Sequence, residues 1–239
     1  MPAGRIAALA APLLDLLYPP SCSGCGGPVP CSEVRLCSQC IDSLPWLGDS
    51  GCSRCGSELD KGSRCQLCRH LDSSLAYVRS AVWFAGCVPE LVHELKYARR
   101  QEMAPLMSEL ALACGALRGL LRTTDLIVPV PLHWRRKVKR GFNQSDLLAA
   151  GLSELTGIAA GGSGVVRSRA TATQTRLNPE QRRNNVAGAF VCREKERIQD
   201  KSILIVDDVM TTGATLGEVA RSLAVAGARR VFGWTFARA

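Results

Sequence analysis

The chain has 239 residues, of which 46% are hydrophobic and 21% charged, a composition typical of a soluble globular protein with one good core and a small second module. Its net charge of +9 lies in the second half, since residues 1–120 carry 11 basic and 11 acidic side chains and residues 121–239 carry 19 and 10. This asymmetry favours a polyanionic ligand or nucleic acid over a membrane surface.

The first predicted element is an amphipathic helix within residues 1–20. Residues 6–18 are apolar, with leucines at helical spacing, and Pro19-Pro20 ends the helix. A membrane span needs about 20 apolar residues, so this segment, which Asp15 interrupts, is too short. A signal peptide is an alternative, but the thiols that follow favour a cytoplasmic protein.

Cysteines dominate the next segment, residues 21–70. Eight of the 12 cysteines form four CxxC pairs, and two such pairs can present four thiolates to one tetrahedral zinc ion. The sequence therefore predicts a double zinc ribbon with two structural zinc ions, whose ligands are Cys22, Cys25, Cys37, Cys40, Cys52, Cys55, Cys65 and Cys68. Sequential pairing of the four knuckles is expected. The alternatives are interleaved pairing, a single zinc, a disulfide-rich module, or Cys31 or His70 as a substitute ligand.

Strands and helices alternate after residue 75. Strands are predicted at 77–84, 125–130, 165–166, 203–208 and 230–236, and helices at 88–100, 104–117, 147–155 and 211–227. This alternation predicts an α/β fold in which helices flank a parallel sheet. Ligands of such sheets bind beyond the carboxyl ends of the strands.

A basic segment follows the second of these strands. Five of the six residues from Arg135 to Arg140 are basic, and as a loop the segment should reach the ligand crevice. Because arginine binds phosphates in a bidentate manner, we expect a pyrophosphate-binding loop. Its candidate members are Leu132, His133, Arg135, Arg136, Lys137, Arg140 and Gly141. The alternatives are a solvated charged face or a single-stranded nucleic-acid platform, with Trp134 and Phe142 stacking on bases.

The most informative stretch, residues 203–216, reads ILIVDDVMTTGATL. Four aliphatic residues predict a strand buried on both faces, which an acidic pair closes before a hydroxylic loop opens a helix. Carboxylates for a sugar diol, beside N–H groups at a helix N-terminus, describe a ribose 5-phosphate pocket that can also hold Mg²⁺. The candidate residues are Asp207, Asp208, Thr211, Thr212, Gly213, Ala214 and Thr215. An ordinary strand, cap and helix is the alternative; a P-loop ATPase is excluded because GxxxxGK[ST] does not occur.

This stretch resembles the phosphoribosyl pyrophosphate (PRPP) motif of the type I phosphoribosyltransferases. With the CxxC pairs, LKY at 95–97, VPVPLHWRRKVKRGFNQS at 128–145 and TATQTRLNPEQRRNNVAGAF at 171–190, the chain resembles the ComF family of late-competence proteins over nearly its whole length. The resemblance implies a phosphoribosyltransferase-like domain at 75–239, in the bacterial cytoplasm and linked to uptake of transforming DNA. The acidic pair is Asp-Asp here, whereas it is Glu-Asp in many relatives.

The resemblance also implies a mobile loop at residues 171–185 that closes over PRPP. Its candidate contacts are Thr173, Gln174, Arg182 and Asn185. A disordered polar linker is the alternative, since the richness of this segment in Thr, Arg, Asn and Gln fits either.

Two classes of function follow. As an enzyme, the protein would be a glycosyltransferase that moves the pentosyl group of PRPP, bound with Mg²⁺, to an unidentified acceptor, with Asp207 and Asp208 as the catalytic pair at the ribose. As a non-catalytic module, it would bind single-stranded DNA and dock a DNA-uptake helicase or translocase through its zinc ribbons.

Overall fold

The computed structural model of the protein describes residues 19–31, 35–48, 51–57, 59, 65, 68, 71–97, 100–161, 164–169 and 179–239. The predicted helix at 6–18 lies outside these residues. Within them, no helix has the length and apolar character needed to cross a membrane.

The strands of the described chain form two sheets. They are β1 (Tyr77–Trp83), β2 (Leu126–Pro129), β3 (Val165–Arg167), β4 (Phe190–Cys192), β5 (Ser202–Met210) and β6 (Arg230–Arg238). The larger sheet has the order β1-β6-β5-β2, with every neighbouring pair parallel, and β3 and β4 form a separate antiparallel pair.

Helices cover both faces of the larger sheet. They are α1 (Ser38–Asp42), α2 (Val88–Tyr97), α3 (Met103–Ala113), α4 (Gly115–Leu121), α5 (Trp134–Arg140), α6 (Gln144–Thr156), α7 (Pro179–Val186) and α8 (Ala214–Val225). A short 3₁₀ turn spans Lys195–Arg197. The predicted parallel sheet flanked by helices is confirmed.

The aliphatic residues of β5 explain its central position. Leu204 and Val206 pack with residues of α2, α3 and α6 on one face, whereas Ile203 and Ile205 pack with residues of α8 on the other. A parallel strand needs this cover on both faces, which is why its sequence is a continuous apolar run. Pro129, the last residue of β2, lies in register with Val206, so the carboxyl end of β2 adjoins the acidic pair.

The cysteine-rich segment packs on the edge and on both faces of this sheet. Cys22 and Cys40 belong to the apolar cluster of the α2–α6 face, and Cys52 and Cys55 belong to that of the α8 face. Along the outer edge of β1, the Val78 N–H donates to the Arg54 carbonyl at 2.8 Å. The segment therefore covers a strand edge that would otherwise expose unpaired backbone groups.

Four sequence-based expectations about local structure are wrong. The acidic pair does not close its strand, because β5 continues to Met210 in register with Arg238 of β6. The helix predicted at 104–117 is two helices, since Cys114 adopts an extended backbone conformation between α3 and α4. The basic segment is the helix α5, not a loop. The C-terminal part of the predicted mobile loop is the helix α7.

Candidate functional site

The eight CxxC cysteines form two separate clusters with the predicted sequential pairing, Cys22, Cys25, Cys37 and Cys40 in one and Cys52, Cys55, Cys65 and Cys68 in the other. Within each cluster all four sulfur atoms lie within 4.8 Å of one another. Zinc–sulfur bonds of about 2.3 Å require sulfur atoms about 3.8 Å apart in a tetrahedron. The distance of 3.9 Å between the sulfurs of Cys25 and Cys37 matches this spacing, so the clusters fit two zinc ions.

Backbone donors support the first cluster. The Sγ atom of Cys22 accepts N–H groups from Cys37 at 3.3 Å and from Gly24 at 3.4 Å. Burial would raise the pKa of the Cys22 thiol, but backbone donors outweigh burial and lower it to about 6. The thiolate form that binds zinc is thereby favoured. Cys31 belongs to neither of the two clusters found among the described residues.

Arginines connect the second cluster to the sheet and to the chain that follows the cluster. Arg238, at the end of β6, is buried, and its Nη1 atom donates to the Cys55 carbonyl at 2.8 Å. The Nη2 atom of Arg54 donates to the carbonyls of Leu71 and Asp72 at 3.0 and 2.6 Å. Cluster and sheet are therefore one hydrogen-bonded unit.

The acidic pair lies in β5, next to the end of β2. The Oδ1 atom of Asp207 accepts the Ser145 hydroxyl at 2.8 Å and the Asp208 N–H at 3.0 Å. Asp208 is buried, and its carboxylate pairs with the Lys96 ammonium and accepts the Gln144 amide at 3.4 Å. The two carboxyl groups therefore have different partners.

These partners give the two carboxyl groups opposite acidities. Burial, with the adjacent Asp208 charge, raises the pKa of Asp207 above its usual range. Burial also opposes ionisation of Asp208, but the Lys96 ammonium outweighs it and holds the pKa of Asp208 below its usual range. Ionisation is thus favoured at Asp208, and Asp207 is the stronger hydrogen-bond acceptor once a ligand or cation favours its charged form.

A cleft of about 230 Å³ opens over the acidic pair. Besides the two aspartates, four cationic side chains line it: Lys96, Arg136, Arg140 and Arg167. Arg167 comes from β3, and its burial, with Arg136 nearby, lowers its pKa to about 10, so that it remains a cation at neutral pH. A cleft that combines carboxylates with several cations suits a ligand that has both hydroxyl and phosphate groups.

The basic segment forms a helix because both of its ends are capped. His133 is buried, and its Nδ1 atom accepts the Arg135 N–H at 3.3 Å. Burial and the nearby Arg167 lower the pKa of His133, which favours the neutral ring needed for this bond. Gly141 ends the helix with a φ of 88°, a conformation that glycine adopts without strain.

The predicted pyrophosphate-binding residues do not all lie in the cleft. Leu132, Arg136 and Arg140 line the cleft, whereas His133 and Gly141 act as caps. Arg135 lies over the Trp134 ring, and Lys137 pairs with Asp146 at 3.4 Å on the surface. Phe142 is buried, which contradicts the alternative in which its ring stacks on a base.

The hydroxylic loop reaches the cleft through Thr215. Thr211 is exposed, and the Thr212 hydroxyl accepts the Ala214 N–H at 3.4 Å. Gly213 and Ala214 line a neighbouring hollow of about 310 Å³, together with Asp72 and Glu218. Gly213 has a φ of +75°, and a Cβ added there would lie 2.2 Å from the Leu71 side chain. The chain that follows the second cluster therefore packs directly on this loop.

Two of the candidate contacts of the mobile loop, Thr173 and Gln174, lie outside the described residues, whereas Arg182 and Asn185 belong to α7. Four residues that the sequence did not single out do line the cleft, namely Lys96, Gln144, Ser145 and Arg167. The LKY and GFNQS motifs contain the first three.

Known families match both parts of the chain. The model of the double zinc ribbon domain matches residues 13–69, and that of the phosphoribosyl transferase domain matches residues 139–237. The chain thus combines a phosphoribosyltransferase-type fold with an N-terminal double zinc ribbon. A solved glutamine PRPP amidotransferase from B. subtilis, complexed with ADP and GMP, aligns with this chain at 20% identity and a TM-score of 0.37. The alignment covers 59% of this chain and 30% of the amidotransferase chain.

Relatives match nearly the whole chain. DNA utilization protein YhgH of Salmonella typhimurium is 36% identical over 227 residues, which cover 93% of this chain and 99% of the relative. Competence protein F of Haemophilus influenzae is 31% identical over 227 residues, covering 91% and 96%. Competence protein ComFC of Streptococcus pneumoniae is 26% identical over 206 residues, covering 82% and 84%. The chain belongs to the ComF family, as its motifs predicted.

Proposed function

We propose that the protein binds PRPP with Mg²⁺ in the cleft over β5 and transfers its phosphoribosyl group to an acceptor. One observation carries the proposal: Asp207 lies in the same cleft as Thr215, Arg136, Arg140 and Arg167. Carboxylates accept hydrogen bonds from the ribose hydroxyls, and the arginines offset the negative charge of the diphosphate. The names of the relatives, which mention competence and DNA utilization, support a role in the handling of incoming DNA.

Each part of PRPP has a candidate partner. Asp207 and Asp208 orient the ribose, the loop of residues 211–215, which reaches the cleft through Thr215 at the start of α8, holds the 5′-phosphate, and Arg136 and Arg140 receive the pyrophosphate. During transfer the bond from C1 to the pyrophosphate oxygen breaks, a bond from C1 to the acceptor nucleophile forms, and the nucleophile loses its proton. The arginines stabilise the departing charge, which develops mainly in the transition state.

Magnesium would arrive with PRPP. Among the described residues, groups of three or more metal-binding side chains occur at the two cysteine clusters only, so the acidic pair is not a complete metal site. Mg²⁺ commonly binds one or two carboxylates together with substrate phosphates, and Asp207 is the more exposed of the two carboxylates that line the cleft. When bound, the ion would neutralise diphosphate charge.

We expect PRPP with Mg²⁺ to raise the melting temperature by roughly 5–10 °C at about 100 times its Kd. Ribose 5-phosphate and pyrophosphate should each give a smaller rise, because each fills only part of the cleft. In D207N/D208N the rise with PRPP should disappear, and calorimetric titration would check this. An equal rise in wild type and D207N/D208N would contradict the proposed site.

A second candidate function, binding of single-stranded DNA, is favoured by two exposed aromatic rings beside the cleft. Trp134 is 62% exposed and Tyr97 is 64% exposed. Each has an arginine over its ring, Arg135 at 5.3 Å and Arg140 at 5.1 Å. Exposed aromatic rings among cations form a platform on which bases stack while the strand backbone is neutralised. This function is compatible with PRPP binding.

Replacing Trp134 by alanine should weaken single-stranded DNA binding by about 10-fold, since base stacking contributes roughly 1–3 kcal/mol. Fluorescence anisotropy with a labelled oligonucleotide at several salt concentrations measures this loss. Trp46→Ala is the matched control, because Trp46 is 38% exposed and lies against β1, at the opposite edge of the sheet from β2. Equal affinity of W134A and W46A would rule out the platform.

A further inference from the structure

A lysine of the LKY motif reaches the acidic pair from α2. Leu91, Val92 and Leu95 are buried in the core and fix the orientation of the helix. Lys96, next to Leu95, keeps only 22% of its side chain exposed, and its ammonium pairs with the Asp208 carboxylate, which is 5% exposed. The pair therefore lies inside the protein, where an unpaired charge is costly.

The two aspartates of the acidic pair are held by different partners. Both oxygen atoms of Asp208 are held, Oδ2 by Lys96 and Oδ1 by Gln144. Asp207 is more exposed than Asp208 and is held through Oδ1, by Ser145 and by the Asp208 N–H. Both carboxylates line the cleft, but a buried one with one oxygen paired to an ammonium and the other bonded to an amide is poorly placed to accept a ribose diol, whereas Asp207 is more exposed.

Gln144 connects the Lys96–Asp208 ion pair to Arg140 of the basic helix α5. Its Oε1 atom accepts the Arg140 guanidinium, while its Nε2 atom donates to Asp208. Lys96, Asp208, Gln144 and Arg140 thus line the cleft as one chain of polar contacts from α2 to α5, formed by an ion pair and two hydrogen bonds. This chain connects a candidate ribose group with a candidate pyrophosphate group.

We propose that Lys96 is a positioning residue, whose ammonium holds the buried Asp208 carboxylate in place so that Asp207 alone meets the ribose hydroxyls. The inference rests on the proposed function and refines it, because it gives the two aspartates separate roles. Without Lys96, the two adjacent carboxyl groups would share a buried site without the ammonium that pairs with Asp208. They would rearrange or take up a proton, and the orientation of Asp207 would be lost.

A double-mutant cycle tests this role by calorimetric titration of PRPP with Mg²⁺. Lys96→Met should weaken binding by at least about 10-fold when Asp208 is present. In a D208N background, K96M should have little further effect, because no buried charge is left to hold. Lys96→Arg should fall between wild type and K96M, since a larger planar cation restores the charge without the compact geometry.

Two comparisons complete the test. Lys139→Met is the matched control, because it removes one positive charge from an exposed position on α5 and should leave PRPP affinity unchanged. D207N should weaken binding more than D208N. If K96M does not fold, K96R and K96M/D208N, which contain no uncompensated buried carboxylate, supply the comparison with D208N.

The outcomes separate this inference from the function on which it rests. Equal weakening by K96M in both backgrounds would mean that Lys96 contacts the ligand itself and would overturn the positioning role. An unchanged affinity of K96M for PRPP would also overturn the positioning role. If the wild-type protein does not bind PRPP at all, the proposed function fails, and the inference falls with it.

Discussion

Replacing Cys55 by serine is expected to remove one of two zinc ions and to destabilise the sheet as well as the second cysteine cluster. The clusters are sequential, so the first should keep its ion. The Cys55 carbonyl accepts a hydrogen bond from Arg238, and the Arg54 carbonyl accepts one from Val78 of β1. Release of this segment would leave the Arg238 guanidinium buried without this partner and would expose the β1 edge.

Metal analysis should therefore return about two zinc ions per chain for the wild type and about one for C55S, together with a lower melting temperature. Cys31→Ser is the matched control, because Cys31 lies between two knuckles of the sequence but outside both clusters. It should keep both ions. Loss of zinc from C31S, or a full complement in C55S, would show that the pairing of the ligands is wrong.

Replacing Gly213 by alanine is expected to weaken both stability and PRPP binding. The backbone at Gly213 has a φ of +75°, which costs an alanine roughly 1–2 kcal/mol. The added methyl group would also lie 2.2 Å from the Leu71 side chain, so that either the Leu71 side chain or the loop must move. Overpacking of this kind costs about 1–3 kcal/mol more. Since the loop leads into α8, its displacement should also lower PRPP affinity.

Gly188→Ala is the matched control for the backbone strain. Gly188 has a φ of +67°, and nothing lies within 4 Å of an added Cβ. Urea unfolding should give a larger loss of stability for G213A than for G188A, and Leu71→Ala should recover part of the difference in the G213A background. If the free energy of unfolding falls equally in the two glycine variants, the contact with Leu71 does not contribute to the loss of stability in G213A.

The sequence predicted the elements that depend on local patterns. The CxxC spacing predicted both clusters, because the two thiols of a CxxC pair can bind the same ion. The sequential pairing joins CxxC pairs that are neighbours in the chain. The ILIV run predicted a strand buried on both faces, since each residue had to be apolar. These features follow from neighbours in sequence, so one chain was enough to find them.

The features that were missed depend on distant partners or on caps. Lys96 is 112 positions from Asp208, and nothing in its local pattern separates it from a surface lysine. The helix α5 was not predicted, because its ends are determined by the caps His133 and Gly141 and not by the charges of the basic run. The close approach of Leu71 to Gly213 likewise depends on how the cysteine-rich segment packs on the core.

The most direct test of the account is an experimental structure of the protein with PRPP and Mg²⁺ bound. We expect the ribose hydroxyls within hydrogen-bond distance of the Asp207 carboxylate, the 5′-phosphate at the start of α8, and the pyrophosphate beside Arg136 and Arg140. PRPP bound elsewhere, or a carboxyl group of Asp207 turned away from the sugar, would contradict the account.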